Sequence, residues 1–309
     1  MYAAVRTWFA AAGYLEVETP YLVATPGMEP HIDPFEAAFI PSTGVGQPRS
    51  LYLHTSPEYA MKRLLADGSP PLFQLCKTFR NGEVSATHNP EFTMLEFYRP
   101  NADYWAIMAD LEQLLASVPV GSVFQKAPYE RLTVRDAFIR HAGIDLREHS
   151  TGASLKRAAD ACGVYTGSST EFDDVFFHVF LERVERQLGH ERPTFLIEYP
   201  ASMASLSKLK VSDPTVAERV ELYANGVELA NGFTELTDAA EQRRRLIDEQ
   251  GIRAKTGRPV FPLDEAFLEA VPRMPPCTGI AVGLDRVLML MLQAKQIADV
   301  LLFPAKDFV

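Results

Sequence analysis

FRNGEVSATHNPEFTMLEFYRP, residues 79–100, is the stretch whose reading decides the fold. It follows an apolar run, PLFQLCKTF from Pro71 to Phe79, that reads as a buried strand and delivers Arg80 to its end. A polar loop with Gly82, His88 and Asn89 comes next, and Pro90 restarts the chain in extended form. Phe92 to Tyr98 then reads as a second strand. An arginine held at a strand end suits a phosphate, because guanidinium binds phosphate bidentately and keeps its charge. Phe92, just past the bend, can offer an aromatic face to a base. The plain alternative is a surface hairpin whose charges are only solvated. That serves for Arg80 alone, but not for the whole string.

Outward from this hairpin, the chain has 309 residues, enough for a sizeable core in one large domain or two smaller ones. Hydrophobic content of 47% with 23% charged residues is that of an ordinary soluble protein. The net charge of -10 does not draw the surface as a whole to nucleic acid or to an anionic membrane. Cys76, Cys162 and Cys277 lie far apart and form no CxxC pair, a set that suits a reducing cytoplasm. Cys76, inside the apolar strand, reads as a small buried side chain. No segment is long enough to span a membrane. The N-terminal MYAAVRTWFAAAGYL is broken by Arg6 and followed by Glu16 and Glu18, so it reads as an amphipathic helix rather than a signal peptide.

That helix covers roughly 2–12 and ends at Gly13, a C-cap. Phe35 to Ile40 and Leu51 to His54 flank a Gly/Pro/Ser loop and read as a hairpin. Helical periods follow over 103–116, 134–141, 154–162 and 174–188, with no catalytic constellation among them. Sheet-like character returns from Thr194 to Leu236. Thr237 and Asp238 then cap a charged helix through Gln250, and the chain closes on the apolar run GIAVGLDRVLMLML. Strands at both ends with helices between them predict an α+β domain around an antiparallel sheet flanked by helices.

ERVELYANGVELANGFTEL, residues 218–236, is a second hairpin. Asn225-Gly226 between alternating runs specifies a type I′ turn, since both positions tolerate positive φ. The turn pairs Ala224 with Val227, Tyr223 with Glu228 and Leu222 with Leu229. Glu221 and Ala230 then fall on the Tyr223/Glu228 face, making an acidic face that suits Mg²⁺ or an ammonium group. A solvated acidic sheet face is the alternative. Glu235 follows after Asn231-Gly232, where the backbone can bend.

TSPEY, Thr55 to Tyr59, follows a strand and opens a helix at Pro57, and a plain N-cap with Glu58 favouring the dipole accounts for it equally. GIAVGLDR, Gly279 to Arg286, has glycines that admit close approach; its plain reading is a core strand leading to a helix, with Arg286 paired to an acid. There is no P-loop, GxSxG, HExxH or Rossmann GxGxxG. The GVG at Gly44 to Gly46 lacks a strand-to-helix setting.

These strings together resemble the class II aminoacyl-tRNA synthetases, specifically the lysine branch. GYLEVETPYL (Gly13 to Leu22) resembles motif 1, the hairpin at 79–100 motif 2, and GIAVGLDR motif 3; ELANGFTEL resembles the branch's ELANGF-x-EL. The resemblance covers nearly the whole chain as one catalytic domain, residues 1–309. It implies ATP and Mg²⁺ as cofactors, a homodimer, and a two-step reaction through an aminoacyl-adenylate. Carried over residue by residue, Arg80 and Arg286 are catalytic. Nucleotide contacts fall on Arg80, Asn81, Gly82, Glu83, His88, Asn89, Phe92, Glu228, Leu229, Gly283 and Arg286. Substrate contacts fall on Ser56, Pro57, Glu58, Tyr98, Glu235 and Ala281, and Mg²⁺ on Glu228 and Glu235.

Within the branch, the chain starts at motif 1, which leaves no room for an anticodon-reading domain. It looks like the truncated paralogues that attach (R)-β-lysine to elongation factor P, a protein, instead of charging tRNA. Ser56 stands where lysyl-tRNA synthetases usually carry alanine, and Ala281 where they usually carry a third glycine, which narrows the pocket in favour of a β-amino acid. YPASMASL (Tyr199 to Leu206) resembles the paralogues' FPASQASL. There are two departures: Gly82 replaces the first glutamate of FRNEE, and Met203 replaces a glutamine. A synthetase fragment acting on tRNA, a non-catalytic synthetase-like regulator and a ligase for a small molecule are the alternatives.

Overall fold

The computed structural model describes residues 1–42, 47–118 and 123–308; Gly44 to Gly46 lie outside them. It divides into two compact units, one made of Met1–Asp103 with Glu235–Val309, the other of Tyr104–Thr234.

In the first unit α1 (Tyr2–Ala11) leads through Gly13 at φ 79° to the short strands β1 (Leu15–Glu16) and β2 (Leu22–Val23). The expected hairpin is present as β3 (Glu36–Phe39) and β4 (Arg49–Leu53), and β2 pairs with β4 on its other edge. Helix α2 (Glu58–Ala66) follows, with Pro57 at its N-cap. The deciding stretch folds as read, into β5 (Leu72–Phe79) and β6 (Glu91–Pro100), antiparallel with Thr78 opposite Phe92 and Leu72 opposite Tyr98.

The second unit holds α3 (Tyr104–Ser117), β7 (Glu130–Thr133), α4 (Val134–Ala142), α5 (Gly152–Ala161) and α6 (Phe172–Val179). The helix expected over 174–188 stops at Val179 and continues as a widened turn, Phe180–Val184, that keeps Phe180 and Val184 buried. Strands β8 (Thr194–Pro200), β9 (Leu209–Lys210), β10 (Asp213–Ala224) and β11 (Val227–Thr234) complete it. Here β11, β10, β8 and β7 lie side by side, only β7 and β8 being parallel, and Phe138, Phe176, Phe180, Leu196, Tyr199 and Tyr223 share one core. Met203 joins that core, which is where an apolar side chain in place of glutamine belongs.

The first unit resumes with α7 (Ala239–Lys255), α8 (Glu265–Ala270), β12 (Cys277–Gly283) and α9 (Leu284–Met291). Asp238 caps α7 as read, accepting from the Ala240 and Glu241 amides. The helix passes Gln250 and Gly251 because Arg253, fully buried, ties its last turns to the carbonyls of Pro259, Glu29 and Ile32 and to Asp33. In this unit's sheet β6 lies between β5 and β12, antiparallel to both, and β1 runs parallel to β5. Side chains alternate across a sheet. Phe73 and Phe97 take one face, against Phe9 of α1, whose ring stacks on Phe73 at 4.2 Å. Leu72, Tyr98 and Cys277 pack with Met61 and Leu65 of α2. Phe92, Met94, Glu96 and Tyr98 share one face of β6, and on it Glu96 stands between Gln74 and Ala281. Among the described residues no helix is long and apolar enough to cross a membrane.

Candidate active site

One end of this sheet face carries the arginines. The Arg80 amide donates to the Pro90 carbonyl at 2.8 Å, closing the hairpin, and its guanidinium lies 5.2 Å from the Phe92 ring centroid. Its buried Nε has no hydrogen-bond partner among the described residues. Gly82 sits at φ 82°, a left-handed conformation that strains an L side chain, so a glycine in place of the first glutamate matches the turn built here. Arg286, two residues into α9, donates from Nε to the Thr87 carbonyl at 3.0 Å, and its Nη2 lies 2.6 Å from His88 Nε2. Burial and the charges of Arg286 and Arg80 push His88 down to about 4, so the ring is neutral near pH 7 and can accept from Arg286. Asn89 spends both ends of its amide on the backbone, Nδ2 to the Glu91 carbonyl and Oδ1 from the Ala305 amide. Its side chain holds the loop in place. Asn81 and Glu83 lie in the same bend, and Gly283 caps α9.

Further along the same face is an acidic pocket. Ser56 Oγ accepts from the Glu58 amide at 3.0 Å and donates to Glu96 Oε2 at 2.7 Å, so one hydroxyl both caps α2 and holds a carboxylate. Tyr98 OH donates to Glu96 Oε1 at 2.6 Å. The Glu235 amide donates to the Cys277 carbonyl at 2.9 Å, fixing Glu235 beside the start of β12. Lys62, 1% exposed, sets Nζ 2.5 Å from Glu58 Oε1 and 2.5 Å from Glu235 Oε2. Glu235 Oε1 is buried with no hydrogen-bond partner among the described residues. A Cβ on Gly279 would stand 2.9 Å from that oxygen and 2.2 Å from the Tyr98 ring. The glycine therefore makes room first for the protein's own tyrosine and glutamate.

Sequence reading missed Lys62 and Glu96. Lys62 passes for an ordinary solvated helix lysine, although its i,i+4 spacing from Glu58 was a signal. Glu96 lay inside the quoted string, two residues before Tyr98 and so on the same face. Burial first, then the neighbouring Glu58, pushes Glu96 up to about 8; burial likewise raises Glu235 to about 7 against the pull of Lys62. A carboxyl whose folded pKa is raised contributes stability present below its unfolded value and lost as pH rises through the folded one. The melting temperature of the free protein is therefore expected to fall as pH rises from about 4.5, the ordinary glutamate value, to about 8, and Glu96→Gln to flatten that fall in a pH series of thermal melts.

In the second unit the Asn225-Gly226 turn forms as expected, at φ 50° and 71°, and pairs Ala224 with Val227 and Tyr223 with Glu228. Beyond it the register corrects the reading. Leu222 stands opposite Ala230, not Leu229, because a bulge at Leu222/Tyr223 leaves Leu229 as an extra residue. Glu221 consequently does not join an open acidic face. It is buried and accepts from the hydroxyls of Tyr199 and Tyr223 and from Arg219, a satisfied structural carboxylate. Glu228 is half-buried and Leu229 buried. Mg²⁺ usually takes one or two carboxylates plus substrate phosphates and keeps water, and Glu228 fits that demand. Glu235 does not, because its carboxylate is buried against the Lys62 ammonium. Among the described residues no group of three or more His, Cys, Asp or Glu side chains is gathered for a metal.

Comparison with known proteins bears on this arrangement as a whole. The elongation factor P–(R)-β-lysine ligase of Salmonella typhi is 43% identical over 310 residues, covering 97% of this chain and 91% of its own. That of Salmonella arizonae is 45% identical over 303 residues, with the same coverage of each chain. The family described as tRNA synthetases class II (D, K and N) matches residues 1–307. Over its whole described length, strands, hairpins and acidic pocket included, the chain belongs to the class II tRNA synthetases of the D, K and N group.

Proposed function

We propose that the chain is a ligase that activates (R)-β-lysine with ATP and passes it to a lysine side chain of elongation factor P, working in the cytoplasm as a homodimeric catalytic domain that does not use tRNA. The observation that carries the reading is the set of two buried carboxyls, Glu96 and Glu235, and the partly buried Glu58, linked through Ser56 and Lys62 beside the sheet face that also carries Phe92. A substrate ammonium group matches such a set, and the Salmonella relatives bear names that specify (R)-β-lysine and elongation factor P.

In this reading one substrate ammonium goes to the acidic pocket and the substrate's carboxylate points along β6 toward Arg80. The carboxylate attacks the α-phosphate of ATP in line, the bond to the departing pyrophosphate breaks, and an acyl-adenylate forms. Arg80 neutralises the α-phosphate, Phe92 stacks on the base, and Arg286, oriented by the Thr87 carbonyl and neutral His88, meets the γ-phosphate. Glu228 would hold Mg²⁺, which supplies charge neutralisation on the phosphates. The acceptor lysine amine then attacks the adenylate carbonyl, forming the amide and releasing AMP.

Intact mass of elongation factor P after incubation with the protein, ATP, Mg²⁺ and (R)-β-lysine tests this, with charging of lysine tRNA run beside it. One β-lysyl addition on the factor and uncharged tRNA is the expected result; charged tRNA with unmodified factor would overturn it. Ala281 stands opposite Glu96, so Ala281→Gly is expected to raise the use of α-lysine relative to β-lysine about tenfold in pyrophosphate exchange. An unchanged ratio would remove Ala281 from specificity.

A further inference from the structure

We infer that Lys62 is the specificity-determining counter-ion of the acidic pocket: its buried ammonium holds one oxygen each of Glu58 and Glu235, so that the pocket presents a single net negative charge to one substrate ammonium. The inference rests on the function proposed above and adds to it a residue that contacts neither reacting atom.

Three observations carry it. Lys62 Nζ lies 2.5 Å from Glu58 Oε1 and 2.5 Å from Glu235 Oε2, on a side chain 1% exposed, so its charge is spent inside the protein. A single nitrogen at those distances keeps the two carboxylate oxygens within the reach of one ammonium. Glu235 Oε1, the oxygen Lys62 does not take, is buried with no hydrogen-bond partner among the described residues and lies beside Gly279, 2.9 Å from where a Cβ there would stand. An oxygen in that state costs free energy unless a ligand donor meets it. Two carboxylates and one ammonium sum to one negative charge, the complement of one substrate ammonium. Without Lys62, the carboxylates of Glu58 and buried Glu235 repel each other at short range, and Glu235 leaves the position from which Oε1 serves the substrate.

Lys62 is therefore a positioning residue, and a double-mutant cycle with Glu235 reads its role. In pyrophosphate exchange Lys62→Met, which keeps the volume, is expected to raise KM for (R)-β-lysine at least about 30-fold, with kcat and KM for ATP within about threefold, the signature of lost uniform binding. In the Glu235→Gln background the same change is expected to cost less than about threefold, because Lys62→Met/Glu235→Gln again carries one negative charge. A KM for β-lysine unchanged by Lys62→Met, a matching rise in KM for ATP, or equal losses in both backgrounds would overturn the inference. Should Lys62→Met not fold, the comparison of Glu235→Gln with the double variant still decides: neither sets two carboxylates against each other, and a further loss of about tenfold between them would overturn it. The two readings fail separately. Wild-type protein that exchanges pyrophosphate with α-lysine alone would end the β-lysine assignment and leave the cycle to be read with α-lysine. Wild-type protein without exchange on either would remove the inference with the function.

Discussion

Arg80→Ala is expected to lower pyrophosphate exchange at least about 10³-fold while leaving the melting temperature within a few degrees. The size follows from what the side chain does in the free protein. The Arg80 backbone closes the β5–β6 bend through the Pro90 carbonyl, and that bond survives the substitution. The guanidinium lies over Phe92, and its buried Nε has no hydrogen-bond partner among the described residues. A preorganised cation of this kind acts on charge that develops at the α-phosphate, and its loss appears in kcat rather than in folding. Arg80→Lys keeps a charge but loses the two-pronged geometry, and is expected to recover only about a tenth of the rate or less. Wild-type exchange in Arg80→Ala would refute the role assigned to it.

Gly279→Ala is the second large effect. A Cβ there would lie 2.2 and 2.3 Å from Tyr98 ring carbons and 2.9 Å from Glu235 Oε1. Relief by movement of Tyr98 is closed off, since the ring is 2% exposed and packed among Met61, Leu65, Leu72 and Cys277. Overpacking of this kind costs about 1–3 kcal/mol of stability. The larger consequence is at the pocket, where Tyr98 would lose its bond to Glu96 and Glu235 its place beside the gap. KM for (R)-β-lysine is expected to rise at least about 100-fold while nucleotide binding, measured by calorimetry, changes little. Equal losses for both ligands would show that the glycine serves the sheet and not the pocket.

Much of the fold was legible because its signals are local. The apolar run at 71–79, the proline restart and the second strand read over 92–98 specify a hairpin, and it formed with its second strand running from Glu91 to Pro100. Asn225-Gly226 specified its turn for the same reason: positive φ at two successive residues is cheap for few dipeptides. The bulge two residues beyond that turn was not legible. Burying Glu221 among Tyr199, Tyr223 and Arg219 depends on β8, whose residues lie far off in sequence. Helix α7 passed its expected end because Arg253 finds partners near residue 30, a reward no local propensity contains.

The candidate site divides along the same line. Ser56, Glu58, Arg80, Tyr98, Glu235 and Arg286 were named because the strings that carry them resemble motifs of the family, each placed by local signals at a strand end, a helix start or a turn. By itself, then, the sequence determined the element types, the two hairpins and the family, and named candidates for contacts to phosphate and ammonium. Only the tertiary structure decided how those charges are balanced. It showed Lys62 buried between Glu58 and Glu235, Glu96 buried against Ser56 and Tyr98 with its carboxyl pushed up to about 8, and Gly279 clearing space for Tyr98. The physical reason is that a side chain's charge state and partners depend on desolvation and on neighbours brought from elsewhere in the chain. These are properties of the packed molecule that no window of residues contains.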